Sequence, residues 1–343
     1  MTKICQSLNE FSRELIYPLF PIFITKVLGF SILQLGVIEG ASEAASILTK
    51  RAIERKSEKE THKVLLPLLT LLVSSITRPL FAFFEGIFPI SLIRFADKLE
   101  GNKSMIAKLL GPLAAFLLLP YLDFNYKKLF LITVIPGAIV AVLIYISIRE
   151  LPRSVKVDKE SEFLQGKKSK TLILPKIFFS LGNPSGSFLM LRAQELGSTT
   201  SVLPILWLIT NSFLILSSRY GGKTKNKSKT FLIGIFLRSI AYISFTFIPF
   251  DSHLWLPFAL YGTAMGLTEI PGGKSYFESK RDKTNRIPPY LPPLAEGLTP
   301  IIANSFIGFL WNWWSSFLAF MICAGLNLIA LGLLFLLTPS DNS

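Results

Sequence analysis

Apolar stretches of about twenty residues recur along this chain with short polar loops between them, and that pattern restricts what it can fold into. In hydrocarbon no water meets a backbone N–H or C=O, so each stretch must satisfy its own groups as a helix. The totals agree. Of 343 residues, 50% are hydrophobic and 13% aromatic, and the mean hydropathy is +0.50. The expected class is an all-α polytopic membrane protein.

The first two stretches carry charge where lipid penalises it. Leu15 to Phe30 is interrupted only by Thr25 and Lys26 and is too short to cross unaided, so its helix must reach back through Glu14 and Glu10. In the second, Glu39 and Glu43 stand four residues apart and share a helical face with Ser42 and Ser46. An ionisable side chain persists in a membrane where it faces a water-filled path or finds a partner. The hairpin from Ser7 to Lys50 therefore points to a pore or carrier interior.

The loops set the topology. A net charge of +14 could fit a nucleic-acid binder, but the basic residues lie in alternate loops, as the positive-inside rule requires of a membrane protein, and no nucleic-acid partner is expected. The basic stretches at 50–63, 98–108 and 149–170 belong on the cytoplasmic side, with the N-terminus. Parity then makes both Val64–Phe84 and the short Glu85–Leu99 cross, followed by Ser104–Leu122 and Leu129–Ile148. A polar linker at 150–170 separates a first bundle, 1–149, from a second, 171–343. The second half repeats the layout in Leu172–Leu196, Val202–Ser218, Phe231–Phe250, Leu254–Ile270, Pro289–Trp311 and Trp314–Leu337. The expectation is twelve spans in the inner membrane with both termini cytoplasmic, the halves in register where Leu28-Gly29 matches Leu196-Gly197 and Lys50 matches Arg219.

Several chemistries drop out. Cys5, Cys323, His62 and His253 are scattered, so neither a metal site nor a cofactor is expected. Gly222-Lys223-Thr224 and Gly273-Lys274-Ser275 end like phosphate-binding loops but lack the first glycine and a preceding strand. Trp311, Trp313, Trp314 and Trp255 read as an interfacial aromatic belt. No nucleophile, base and orienter stand together, so an enzyme is not expected.

Three stretches resemble the major facilitator superfamily of secondary transporters, and within it a bacterial, exporter-like branch: Glu14 to Ala44, Leu129 to Glu150 and Ser180 to Gly197. The resemblance implies two six-helix bundles related by a pseudo-two-fold axis, binding a small molecule near the midplane between helices one, two, four and seven. It also implies a gating loop after helix two, here reduced to Glu54-Arg55-Lys56-Ser57-Glu58-Lys59. The counterpart after helix eight, Tyr220 to Lys225 with Lys223, has no acid. Arg94 to Gly101 runs almost directly into helix five, as if some two dozen residues of the family pattern were missing. Without the loop acids the carrier is expected to favour the inward-open state.

The candidate residues follow. Glu14 and Tyr17 match the helix-one pattern and are placed at the cavity. Glu39, Arg78 and Arg192 fall in the outer halves of their helices, where an ion pair or triad is expected that also suits an anionic group. Glu43 lies deeper with no arginine at matching depth and is the candidate for proton coupling. Arg94 matches the coupling arginine of helix four, with Asp97 one turn on, and Gly111-Pro112 resembles the antiporter signature of helix five, though Ala107 and Ala115 replace its glycines. The resulting expectation is a monomeric, proton-coupled exporter of a small molecule; the alternative is a transport-inactive relative serving as a membrane scaffold or sensor.

Overall fold

A computed structural model of the chain describes residues 2–56, 60–99, 104–149, 173–224, 226–248, 253–268 and 291–337. Among these residues every regular element is helical, and the helices group into twelve spans. The first is Thr2–Ile16, broken at Tyr17-Pro18-Leu19 and resumed as the turn Phe20–Ile22 and the π-helical turn Phe23–Val27. Pro18 and Pro21, which offer no N–H to a preceding carbonyl, account for the break. The second is Ile32–Lys56, and the third is Glu60–Thr77 continued by the 3₁₀ turn Arg78–Ala82. Ile87–Lys98, Met105–Tyr121 and the pair Tyr126–Ile132 with Val134–Arg149 complete the first half. The second half comprises Ile173–Leu181 with Ser187–Glu195, then Leu203–Lys223, Lys227–Phe247, Trp255–Thr268, Leu291–Trp313 and Ser316–Leu337.

Three expectations change. Spans two and eight run on to Lys56 and Lys223, so much of the expected basic loop is the last turns of helices. Span seven is two helices, because Gly182 to Gly186, with Pro184 at its centre, leave the helix. Trp311 is 8% exposed and packs on Phe188 and Phe320 in the core, whereas Trp255, Trp313 and Trp314 are exposed as a belt requires. The linker at 150–170, Glu269 and the loop at 274–286 lie outside the described residues.

Among the described residues four stretches are long and apolar enough to cross a bilayer by themselves: Leu65–Ala82, Tyr126–Ser147, Lys227–Phe247 and Ser316–Leu337. They are spans three, six, nine and twelve, every third one. Spans wrapped by lipid must be apolar on their outer faces, while those that line an interior tolerate breaks and polar groups.

Packing is not the same at the two ends of the molecule. The main apolar cluster draws on all twelve spans, always on the halves remote from the chain termini, from Leu15, Phe20 and Phe81 of the first bundle to Phe188, Tyr242 and Phe320 of the second. Towards the face carrying the termini the described apolar clusters stay within single bundles: Cys5, Leu68, Leu71, Val140 and Ile144 in one, Phe231, Ile235 and Leu334 in the other. On the remote halves the bundles also meet through glycines of spans two and eleven. A Cβ on Gly36 would stand 2.3 Å from the carbonyl oxygen of Asn304, one on Gly40 2.7 Å from that of Pro300, and one on Gly308 2.8 Å from that of Ile32. Spans two and eleven thus touch backbone to backbone, the close approach that small residues permit in lipid.

Candidate functional site

The most concentrated charge in the described interior is a lattice at the junction of spans one to four. Glu39 is fully buried. Its Oε1 accepts from Arg94 Nε at 3.1 Å and Nη2 at 2.8 Å, and its Oε2 from Lys98 Nζ at 2.6 Å. Arg94 Nη1 donates to Asp97 Oδ2 at 3.0 Å, and Arg78 Nε donates to Asp97 Oδ1 at 2.5 Å. Arg78 Nη1 also reaches the backbone carbonyl and side-chain oxygen of Asn9, both at 2.7 Å. The Arg94 guanidinium lies 4.2 Å from the Phe20 ring centroid, so its face is covered as well. Two carboxylates and three cations leave one positive charge in excess.

This lattice extends into the other bundle. Ser187 Oγ and Ser185 Oγ donate to the two oxygens of Glu39, each at 3.1 Å. Both serines stand at the break in span seven, and the freed backbone N–H of Ser185 donates to Asn304 Oδ1 of span eleven at 2.7 Å. The chain leaves the helix where its polar groups are used across the interface. Asn304 and Gly36 are in turn in contact, so spans two, seven and eleven meet at one point.

A second polar contact joins spans one, five and eight. Glu14, 4% exposed, accepts at Oε2 from Trp207 Nε1 at 2.8 Å and Asn211 Nδ2 at 3.1 Å. Asn211 Nδ2 also donates to the carbonyl of Lys108 at 2.9 Å. Tyr17 stacks on Trp207 with centroids 4.5 Å apart, and Gly186 packs against both rings. Glu10 pairs with Arg13 beside this group. Trp207→Phe keeps the stack but removes a donor to a buried carboxylate, and is expected to destabilise the protein by about 1.5–3 kcal/mol. Equilibrium unfolding in mixed micelles reads this; an unchanged midpoint would show that the bond contributes nothing.

The sequence-derived candidates distribute as follows. Glu39, Arg78, Arg94 and Asp97 come together, with Arg94 and Asp97 buried in the lattice rather than on a solvated helix end. Arg192 does not join them: it lies in the other bundle and donates to the carbonyls of Phe245 and Thr246, to Ser316 and to Glu195. In place of the ion pair or triad expected among Glu39, Arg78 and Arg192, Glu39 pairs with Arg94 and Lys98, and Arg78 pairs with Asp97. The division at 150–170 already put Arg192 in the second bundle; helical depth did not show that its partners would all come from there. Glu43 is half-buried one turn from Glu39, with no hydrogen bond or ion pair to its carboxylate among the described residues. The side chains of Glu54 and Arg55 lie outside the described set, and Lys223 is exposed at the end of span eight. Sequence reasoning missed Lys98, Ser185, Ser187, Trp207 and Asn211; Asn183-Pro184-Ser185-Gly186 was the available signal, a helix-breaking run within the stretch most specific for the resemblance.

The fold and the buried charge define a polytopic membrane protein with the twelve-helix fold of the major facilitator superfamily. No family model matches the sequence. It is 26% identical over 352 residues to an uncharacterized MFS-type transporter of Methanocaldococcus jannaschii, a similarity covering 89% of this chain and 86% of that protein. Among solved structures, the nucleoside transporter NupG superposes with a TM-score of 0.63 at 15% identity, covering 98% of this chain and 97% of its own. A bacterial homologue of the human lysosomal transporter Spinster, inward-facing and occupied, gives 0.59 at 15% identity, covering 97% and 94%. An auto-inhibited peptide transporter of the POT family gives 0.68 at 13%, covering 99% and 97%. These similar proteins are transporters, not enzymes, which agrees with the resemblance read from the sequence.

Proposed function

We propose that this chain is a secondary transporter that moves a small molecule by alternating access between two bundles, 1–149 and 171–343, joined by a linker at 150–170. It works as a monomer in the cytoplasmic membrane with both termini inside, and exports its substrate in exchange for protons. The observation that carries the reading is the bonding of Ser185 and Ser187 to Glu39, itself held by Arg94 and Lys98, which puts buried charge and a broken helix at the boundary between bundles. Such contacts are strong when made and replaceable by water or substrate when the bundles part.

The asymmetry of packing supports a direction. Separating the halves remote from the termini would expose one continuous apolar layer to an aqueous vestibule, at about 1.5–3 kcal/mol for each large side chain fully exposed. On the side of the termini no described apolar cluster spans the two bundles, so separation there exposes less apolar surface. The protein accordingly rests closed to the outside and opens inward more readily.

Glu43 is the coupling carboxylate in this reading, because Glu39 has all its acceptor sites engaged while Glu43, one turn away, accepts no hydrogen bond among the described residues. In liposomes loaded with a pH-sensitive dye, wild-type protein is expected to show proton flux that depends on added solute, tested across a metabolite panel. Glu43→Gln should abolish that flux while leaving solute binding intact. Equal flux in the variant would remove Glu43 from the mechanism. One observation favours the second reading, a transport-inactive scaffold: span four has 12 residues, about 18 Å of helix, well short of the hydrocarbon thickness. Absence of solute-dependent flux from folded protein across the panel would support it.

A further inference from the structure

Among the described residues, each bundle buries one arginine from one of its long apolar spans, and the two are treated differently. In the first, Arg78 of span three is 1% exposed and meets the carboxylate of Asp97 in span four at 2.5 Å. In the second, Arg238 of span nine is 3% exposed, and its counterpart in span ten is a hydroxyl: Nη2 donates to Thr268 Oγ1 at 2.8 Å. No carboxylate pairs with Arg238 among the described residues, and its buried Nε has no hydrogen-bond acceptor. The guanidinium is flanked by the rings of Phe179 and Tyr261, with centroids at 5.2 and 5.7 Å. A buried, always-charged group without a counter-ion is costly, and removing the cost takes an anion.

We infer that Arg238 is the anion-binding group of a ligand site inside the second bundle, and that its ligand is a small organic carboxylate with an aromatic or apolar body. The free Nε edge suits the planar fork of a carboxylate, and Phe179 and Tyr261 suit the body attached to it. The site lies next to the break in span seven: Phe179 is one turn before Gly182, and Tyr242, one turn on from Arg238, bonds Asn183 within the break at 3.4 Å. Occupancy would therefore be felt by the segment that supplies Ser185 and Ser187 to Glu39. A lipid headgroup is not the anion. Arg238 is the twelfth of 21 residues in span nine, about 15 Å from either end at ~1.5 Å per residue, near the centre of the bilayer.

The test uses the purified full chain in a neutral detergent, with benzoate as probe and benzamide as its uncharged counterpart. Benzoate is expected to raise the thermal midpoint of wild-type protein saturably, and benzamide to leave it unchanged. Arg238→Gln should abolish the benzoate response, and Arg238→Lys, which keeps the charge but loses the fork, should weaken it at least tenfold in half-saturating concentration. Without ligand, Arg238→Gln should hold or raise the midpoint, since it removes an uncompensated charge, whereas Arg78→Gln should lower it. No benzoate response in wild type, or an equal one in Arg238→Gln, would overturn the proposal; so would a fall in the ligand-free midpoint of Arg238→Gln as large as that of Arg78→Gln. Calling the anion a substrate rests on the carrier reading: binding without benzoate flux in liposomes would keep this site and count against transport.

Discussion

Glu39→Gln is expected to be the most destabilising single substitution in the charge lattice, by about 3–5 kcal/mol, the range for removing one partner of a buried ion pair. The sign follows from the count of charges. With Glu39 ionised, two carboxylates face Arg78, Arg94 and Lys98. With it neutral, three cations remain around Asp97 alone, and Arg94, at 1% exposed, has no path to water. Lys98, at 17%, does. Arg94→Gln should cost less, because Glu39–Lys98 and Arg78–Asp97 survive as pairs. The double variant Glu39→Gln/Arg94→Gln should recover much of the loss, with a coupling energy of about 2 kcal/mol, within the range for residues of one network. Unfolding midpoints of the four proteins in mixed micelles close the cycle. Additive effects would mean that Glu39 and Arg94 do not act as a unit.

What the sequence made legible, and what it did not, divides along physical lines. Periodic apolar stretches and alternating basic loops report the lipid boundary, which is a local property, so the number of spans and the all-α class could be read directly. Glu39, Arg78, Arg94 and Asp97 stood out because charge in a membrane is rare. Their partners were hidden, because pairing depends on which helices lie side by side. Arg192 and Glu39 have similar depth and the linker put them in different bundles, but neither coordinate showed that all the partners of Arg192 would come from its own bundle. The break in span seven was obscured for another reason. Leu172 to Leu196 is apolar enough to read as one helix, and the backbone groups freed by the break find tertiary partners, the Ser185 N–H in Asn304 and the Gly182 carbonyl in Asn327. Trp311 was misplaced because an aromatic residue near a helix end serves equally as belt or core until its neighbours Phe188 and Phe320 are known.

Gly36 provides the sharpest test of how the bundles are held together. The Cβ of an alanine there would stand 2.3 Å from the carbonyl oxygen and 3.0 Å from the carbonyl carbon of Asn304, and no flexible side chain can yield, because both atoms are backbone. Gly36→Val adds two methyl groups to the same spot. Spans two and eleven must then separate, and with them the bonds of Ser185 and Ser187 to Glu39. Overpacking of this kind costs about 1–3 kcal/mol, with rigid contacts at the upper end. Since about 1.4 kcal/mol is a factor of ten in a two-state equilibrium, the closed arrangement should lose ten- to hundredfold in population relative to the parted one. A cysteine at position 187 reports the change, because Ser187 is fully buried in the interface and the native Cys5 and Cys323 are fully buried elsewhere. In Ser187→Cys protein, labelling by a membrane-impermeant maleimide should be slow. Adding Gly36→Val should accelerate it at least tenfold, while Gly325→Val, at a glycine whose Cβ would meet nothing within 4 Å, should leave it slow. If Gly36→Val labels no faster and melts no lower than its parent, spans two and eleven are not in backbone contact, and the cross-bundle bonds of Glu39 lose the support on which the transport mechanism rests.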